Sequence, residues 1–298
     1  MMIGRYKSLY LAPLLALALL AVTASPAYSR THHATNATSN GAPPLKSSAA
    51  LVLDESTSSV LVAKHADTAI PIASITKLMT ALVVLDAKQS LDEEISITPE
   101  DQNLDKPTTS RLPVGTRLSR GDFLHLALMS SENRAAHALG RNYPGGLPAL
   151  AAAMNAKAKS LGMMSAHFVE PTGLSSDNVA SPEDLSKLVM AASKNETIQQ
   201  FSTDSSYAVA VGKHQNSVQF HNTDPLVNSP DWNIIVQKTG YIAEAGRCVV
   251  MKAVIAGRST IIVLLDSIGK QTRIADARRI KKWLEARLSA DARQSHKA

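Results

Sequence analysis

The sequence predicts an α+β domain in which an antiparallel sheet is completed by both ends of the chain and a mainly helical region is inserted between the strands. Three observations carry that expectation. Short aliphatic and β-branched runs flank a polar turn early in the chain, three more such runs lie close together near its end, and the stretch between them reads mostly in helical period.

Taken in order, residues 1–29 read as a secretory signal peptide. Arg5 and Lys7 form a positive start, Leu9 to Val22 is an almost unbroken Leu/Ala run, and small residues recur at Val22/Ala24, Ser25/Ala27 and Ala27/Ser29 in the spacing of a cleavage site. The run is about 14 residues long, against about 20 for a bilayer span, and it contains Pro13, so cleavage is expected rather than an uncleaved anchor. Residues 30–48 are rich in Thr, His, Asn, Ser, Gly and Pro without apolar period, the composition of a flexible linker. One domain is expected over residues 49–288, followed by a polar tail at 289–298.

Within that domain, Ala49 to Leu53 and Ser59 to Ala63 form a hairpin around Asp54-Glu55-Ser56-Thr57. From Ser74 the period changes: Ile75, Leu78, Met79, Leu82, Val83 and Leu85 give a buried helix to about Ala87. Asp92 to Thr98 reads as a strand, and Pro99 to Thr116 as a long connection of the kind that often carries function. Helices follow at Gly121 to Met129, Glu132 to Gly140 and Leu147 to Leu161, and Ser181-Pro182-Glu183-Asp184 starts another, with a Ser cap, Pro at the first position and acids in the first turn. Strands at Asn233 to Thr239, Cys248 to Ala256 and Ser259 to Asp266 complete the sheet, the last two joined through Gly257-Arg258. A basic amphipathic helix, about Thr272 to Leu288, ends the domain.

Composition removes several classes of function. The 298 residues are 45% apolar and 19% charged, enough to bury a full core. One cysteine, Cys248, excludes an intramolecular disulfide framework and a multi-thiolate zinc site. His65, His125, His137, His167, His214 and His221 show no compact ligand spacing, so neither a metal nor another cofactor is expected. An aromatic content of 4% and scattered basic residues argue against nucleic acid. Removing residues 1–29 takes away Arg5 and Lys7 and no acid, so the net charge of +6 is partly a property of the leader.

Chemistry is carried by three short motifs. Ser74-Ile75-Thr76-Lys77 opens the buried helix, Ser131-Glu132-Asn133 lies between two helices, and Lys238-Thr239-Gly240 ends a strand. Residues at i and i+3 share a helix face, so Ser74 and Lys77 come within hydrogen-bond reach. A serine hydroxyl needs a base, and a lysine can serve once burial and a neighbouring cation such as Lys238 lower its pKa from about 10.4 towards 7. The helix N-terminus offers N–H groups for an oxyanion. Ser131 can pass a proton to a leaving amine and Asn133 can orient Lys77 and a substrate amide. Lys238 and Thr239 suit a carboxylate, and Gly240 lets an extended peptide approach. Strand alternation puts Lys238 and Thr239 on opposite faces, so both serve one pocket only at a sheet edge.

Together, in this order, the three motifs are the signature set of serine penicillin-binding proteins and class A β-lactamases. From about Ala49 to Asp266 the chain resembles the low-molecular-mass penicillin-binding proteins of the D-alanyl-D-alanine carboxypeptidase/endopeptidase family. It is most similar in pattern to the D-alanyl-D-alanine endopeptidase (penicillin-binding protein 7) branch, through Pro71 to Thr80, Met129 to Ala135, Glu170-Pro171-Thr172-Gly173-Leu174, and Gln237 to Tyr241 with Ala245 to Cys248.

The resemblance implies a β-lactamase/transpeptidase-like fold and a periplasmic serine hydrolase acting on peptidoglycan peptides, with β-lactam antibiotics as covalent inhibitors and no cofactor. It implies Ser74 as acylated nucleophile, Lys77 as base, Ser131 and Asn133 as relay, and Lys238, Thr239, Gly240 and Tyr241 as substrate-binding residues. Ser74 and Tyr241 would supply the oxyanion N–H groups, and Arg247 is a candidate second carboxylate partner. No stable transmembrane anchor is expected, because only about 30 residues follow Asp266. The motifs leave open an endopeptidase, a carboxypeptidase, a β-lactamase using Glu170, and a penicillin-reactive binding module. Glu132 stands where several relatives have Gly or Asp, and its role is open at this stage.

Overall fold

A computed structural model describes Met1 and residues 41–102, 104, 106–212 and 216–295, with side chains to residue 289. The signal peptide and most of the linker expected from the sequence lie outside the described residues.

The chain forms, in order, β1 (Ser47–Asp54), β2 (Ser59–Lys64), β3 (Ile70–Pro71), α1 (Thr76–Asp86), β4 (Glu94–Ser96), β5 (Arg117–Ser119), α2 (Arg120–Met129), α3 (Asn133–Arg141) and α4 (Gly146–Ser160). It continues with β6 (Val179–Ala180), α5 (Pro182–Ala192), α6 (Glu196–Thr203), β7 (Ser206–Val211), β8 (Asn216–His221), β9 (Asn233–Ile242), β10 (Gly246–Ile255), β11 (Arg258–Ser267) and α7 (Thr272–Ser295).

The main sheet has the order β2-β1-β11-β10-β9, every pairing antiparallel. Its centre joins the two ends of the sequence: Ala50 faces Leu264 and Val52 faces Ile262 across β1 and β11. The strands read as continuous apolar runs because both faces are covered. Ala49, Leu51, Val250, Ile261 and Val263 pack on the inserted helices, whereas the alternate residues Ala50, Val52, Val249, Met251, Ile262 and Leu264 pack on Ile274, Ile280 and Leu284 of α7.

Buried Asp276 of α7 fastens that layer to the start of β1, accepting hydrogen bonds from Ser47 N at 2.7 Å, Ser47 Oγ at 2.7 Å and Lys46 N at 3.0 Å. Expected caps form as well: Ser181 accepts from Asp184 N, and Ser119 and Asp122 make a reciprocal capping box on α2.

Several boundaries differ from the sequence expectation. The β10–β11 turn is Ala256-Gly257 rather than Gly257-Arg258, both residues having positive φ (48° and 80°) as a two-residue hairpin with matching twist requires. Arg258 instead opens β11 and pairs with Asp54 at 2.9 Å. Ser74 sits in a 3₁₀ turn, Ala73–Ile75, that runs into α1. The strand expected at Asp92 to Thr98 shortens to β4, whose partner β5 was not anticipated. Helix α7 continues to Ser295, past Leu288, because Ala, Arg, Asp and Gln offer no stop signal. Helix α6 and the β7–β8 hairpin were not anticipated either.

Candidate active site

The position of Ser74 is built by glycine. Ala73, just before Ser74, has φ of +48°, a strained value for a residue with a Cβ. The turn is packed from two sides by glycines, Gly173 closer than any side chain would permit and Gly240 at a distance where a side chain would be tight. A Cβ on Gly173 would stand 2.0 Å from the Ala73 carbonyl oxygen, and one on Gly240 would stand 3.0 Å from Ala73 Cβ, Ile72 O and Ser74 N. Gly240 thus brings the edge strand β9 against the Ser74 N–H.

Lys77 is fully buried one helical turn on. Its Nζ donates to Ser74 Oγ at 2.9 Å, Asn133 Oδ1 at 2.7 Å and the Thr172 carbonyl at 2.5 Å. Burial lowers its pKa to about 8, against the opposing pull of the Glu170 and Glu132 carboxylates. The cause expected from the sequence was burial together with Lys238; burial is the dominant one, and the repulsion between the two lysines acts on Lys238.

Thr172 was not foreseen as a partner of Lys77, and Glu170 explains its placement. The Glu170 carboxylate accepts hydrogen bonds from Thr172 N, Thr172 Oγ1 and Gly173 N, each at 2.6 Å, and from Asn178 Nδ2 at 2.7 Å. Both oxygens are engaged in shaping a turn whose carbonyls, Thr172 and Pro171, receive Lys77 Nζ and Thr80 Oγ1.

Ser131 has φ of +60° in the connection between α2 and α3, a single left-handed residue that sets its direction into the cleft. Asn133 opens α3. Between them Glu132 caps α3, its carboxylate accepting from Arg134 N at 3.2 Å and from Ser110 Oγ at 2.7 Å. Burial raises its pKa. The middle acid of the motif therefore ties the site to the long connection before β5, which also walls the cleft with Lys106, Pro107 and Thr108.

Strand β9 is the sheet edge, the condition the alternation of Lys238 and Thr239 demanded. Thr239 lines the cleft and shares a 2.7 Å hydrogen bond with Thr223 Oγ1. Lys238 is fully buried behind it, its Nζ donating to the Thr239 carbonyl at 2.9 Å. Burial, with the cations of Lys77 and Arg273, drives its pKa well below that of an ordinary lysine, against the pull of Asp224. Tyr241 lies on the rim, 56% exposed.

Arg247 does not reach the cleft: its guanidinium stacks over the Tyr241 ring at 4.4 Å from the opposite position on β10. The arginine that lines the cleft is Arg273, from the first turn of α7, which sequence reasoning missed. The cleft encloses about 560 Å³ and gathers Ser74, Ser131, Asn133, Thr239, Tyr241 and Arg273 on its walls.

Other sequence candidates have structural partners. His137 pairs with buried Asp101 at 2.7 Å, His125 stacks on Phe201, and Cys248 is a core residue whose thiol burial pushes up to about 12. Among the described residues no helix is long and apolar enough to cross a membrane.

A serine hydrogen-bonded to a buried lysine, at the edge of an antiparallel sheet and beside a cationic pocket, is the arrangement of a serine acyl-transfer enzyme that uses no histidine. Comparison with known proteins agrees. The profile described as D-alanyl-D-alanine carboxypeptidase matches residues 36–269, and the chain belongs to that peptidase family.

The chain is 47% identical over 241 residues to a D-alanyl-D-alanine endopeptidase of Pseudomonas aeruginosa, spanning 81% of this chain and 78% of that protein. It is 44% identical over 271 residues to one of Escherichia coli, spanning 91% and 86%. Among solved structures it resembles a Streptomyces DD-transpeptidase with a TM-score of 0.75 at 28% identity, covering 81% of this chain and 98% of that one. The fold is therefore β-lactamase/transpeptidase-like, and the protein is a serine D-Ala-D-Ala peptidase acting on peptidoglycan.

Proposed function

We propose that the protein is a periplasmic D,D-endopeptidase that hydrolyses D-alanyl cross-links in peptidoglycan through an acyl-enzyme on Ser74. The observation that carries the acyl-enzyme is the 2.9 Å contact between Ser74 Oγ and a buried Lys77 whose proton is held near pH 8. In this reading Ser74 Oγ attacks the D-alanyl carbonyl carbon while its proton passes to neutral Lys77. The N–H groups of Ser74 and Tyr241 take the oxyanion, and the leaving amine receives a proton through the Ser131 hydroxyl as the C–N bond breaks. Lys77 supplies that proton through Ser131 and is neutral again; water then attacks the ester, giving its proton to Lys77, which passes it to Ser74 Oγ as the ester C–O bond breaks and the peptide acid leaves.

Lys238, Thr239 and Arg273 form the carboxylate site beside the scissile bond, Thr239 and Arg273 from the cleft wall and Lys238 by its charge from behind Thr239. In a cross-link that carboxylate belongs to the leaving residue, so the same site suits a terminal D-alanine and an internal linkage. Similarity to proteins named endopeptidases, over most of both chains, favours the internal linkage.

Digestion of cross-linked muropeptides tests the reading. Conversion of dimers to monomers without loss of terminal D-alanine supports it, and release of free D-alanine alone identifies a carboxypeptidase instead. Labelled penicillin, followed by mass spectrometry, is expected to leave a long-lived adduct on Ser74 that is absent from Ser74→Ala. The engagement of both Glu170 oxygens by N–H and O–H donors supports slow rather than β-lactamase-like turnover of that adduct.

A further inference from the structure

The acylation chemistry leaves a buried acid of the β8–β9 connection unused. Asp224 lies in the connection between β8 and β9 and is fully inaccessible to solvent. Its two oxygens do different work. Oδ1 accepts the Leu226 N–H at 3.0 Å and caps the 3₁₀ turn Pro225–Asn228. Oδ2 is buried with no hydrogen-bond partner among the described residues. A buried carboxylate oxygen left this way is costly unless a field of opposite charge compensates it.

That field comes from the carboxylate site. Arg273 has a buried Nε without a hydrogen-bond partner among the described residues, and its Nη1 reaches the Lys270 carbonyl only at 3.5 Å. Lys238 has its Nζ satisfied by a single carbonyl. The titratable groups facing these cations come from three elements and one connection. Lys77 of α1 and Arg273 of α7 repel Lys238, while Arg247 of β10 repels Arg273. Cys248 of β10 also faces Arg273, but its thiol is held protonated by burial. Asp224 is the carboxylate that attracts both cations.

We propose that Asp224 is a positioning residue for substrate binding, supplying through its unpartnered Oδ2 the counter-charge that keeps Lys238 and Arg273 together as a cationic pair before the substrate carboxylate arrives. This rests on the reading above that these two cations receive that carboxylate. The direction follows from the charges. Burial and neighbouring cations loosen the Lys238 proton, and a negative charge on Asp224 opposes that loss; burial in turn pushes the Asp224 carboxyl upward, and the two cations act against that shift, favouring its ionised form. Without the negative charge, Lys238 loses its proton at a lower pH, and carboxylate binding is lost with it.

Asp224→Asn removes the charge but keeps an oxygen for the Leu226 N–H, and Asp224→Ser caps the same N–H with a hydroxyl. Acylation by a labelled penicillin, which carries a free carboxylate, is measured between pH 6 and 10 at concentrations that separate binding from the maximal rate. Unfolding temperature identifies which of the two variants folds normally. The expected result is weaker binding by about tenfold near pH 8, little change in the maximal rate, and a basic limb moved about one pH unit lower.

A pH profile of either folded variant that superimposes on wild type overturns the proposal. Arg273→Ala, compared on the penicillin and on its methyl ester, keeps the two readings apart. Loss of binding to the acid alone supports the carboxylate site, so that a superimposing Asp224→Asn profile then overturns only the role of Asp224. Equal effects on acid and ester overturn the carboxylate site itself, and the proposal with it.

Discussion

At the scale of single residues, the site is governed by the cost of burying a lysine. The Lys77 ammonium is folded at a pKa near 8, below its unfolded value, so the unfolded chain holds more protons between about pH 8 and 10.5. The sign is fixed: protonated Lys77 costs stability at and below pH 8, and that cost is relieved as pH rises through the window. In the proposed mechanism activity follows the same proton, since only neutral Lys77 can accept from Ser74. Acylation is expected to rise with pH to a limb near 8, a profile that rapid-quench penicillin labelling would trace. Lys77→Ala is expected to lower the acylation rate by about 10²–10⁴-fold, the range of a general base, with recovery absent at any pH. An unchanged limb in that variant would assign the proton elsewhere. The three motifs made this residue legible because its chemistry is local, three positions from the nucleophile. Arg273 was not legible: in the sequence it is one basic residue among many on a helix, and only burial beside the cleft distinguishes it.

At the scale of elements, the catalytic turn is held by what two neighbouring segments lack. Gly173→Ala would place a methyl group at 2.0 Å from the Ala73 carbonyl, in a backbone conformation of φ +81°. This substitution is expected to cost more than about 2 kcal/mol in thermal or urea unfolding and to abolish penicillin labelling. Gly240→Ala is gentler, with contacts of 3.0 Å. The variant is expected to fold while displacing β9 from Ser74, lowering acylation by about 10²-fold, as misplacement of about 1 Å can do. Normal labelling of a folded Gly240→Ala protein would show that the close approach is not needed. Elements with strong local signals were readable from sequence: the first hairpin, α1, the Ser181 cap and the three closing strands. The β7–β8 hairpin was not, because its alternation, with Val209, Val211 and Phe220 inward, is short and lies among polar residues. The turn around Glu170 was read only as a motif, since its purpose is set by contacts with α1 distant in sequence.

At the scale of the whole molecule, stability depends on joining the chain's ends. Asp276→Ala would leave the N–H groups of Lys46 and Ser47 without their buried acceptor. A loss of about 2–4 kcal/mol is expected, with faster amide exchange in β1 and β11 than in the α2–α3 region. Uniform exchange across the molecule would argue against a local fastening role. The sheet completed by both ends was legible because each end carries its own strand pattern; the α7 clasp was not, since it pairs one aspartate with backbone groups at the far end of the chain.

The pairing of β1 with β11 also orders events in time. Ser74 and Lys77 lie in the first third of the sequence, whereas the edge strand, the central strand that accepts β1 and Arg273 all lie in the last quarter. A chain delivered N-terminus first holds its serine and lysine long before it holds anything to present a substrate to them. Sheet closure must wait for the final strands, as contacts of such long sequence separation do. Hydrolytic competence is therefore acquired in one late step, and a truncated product of synthesis carries the reactive serine without the means to direct it.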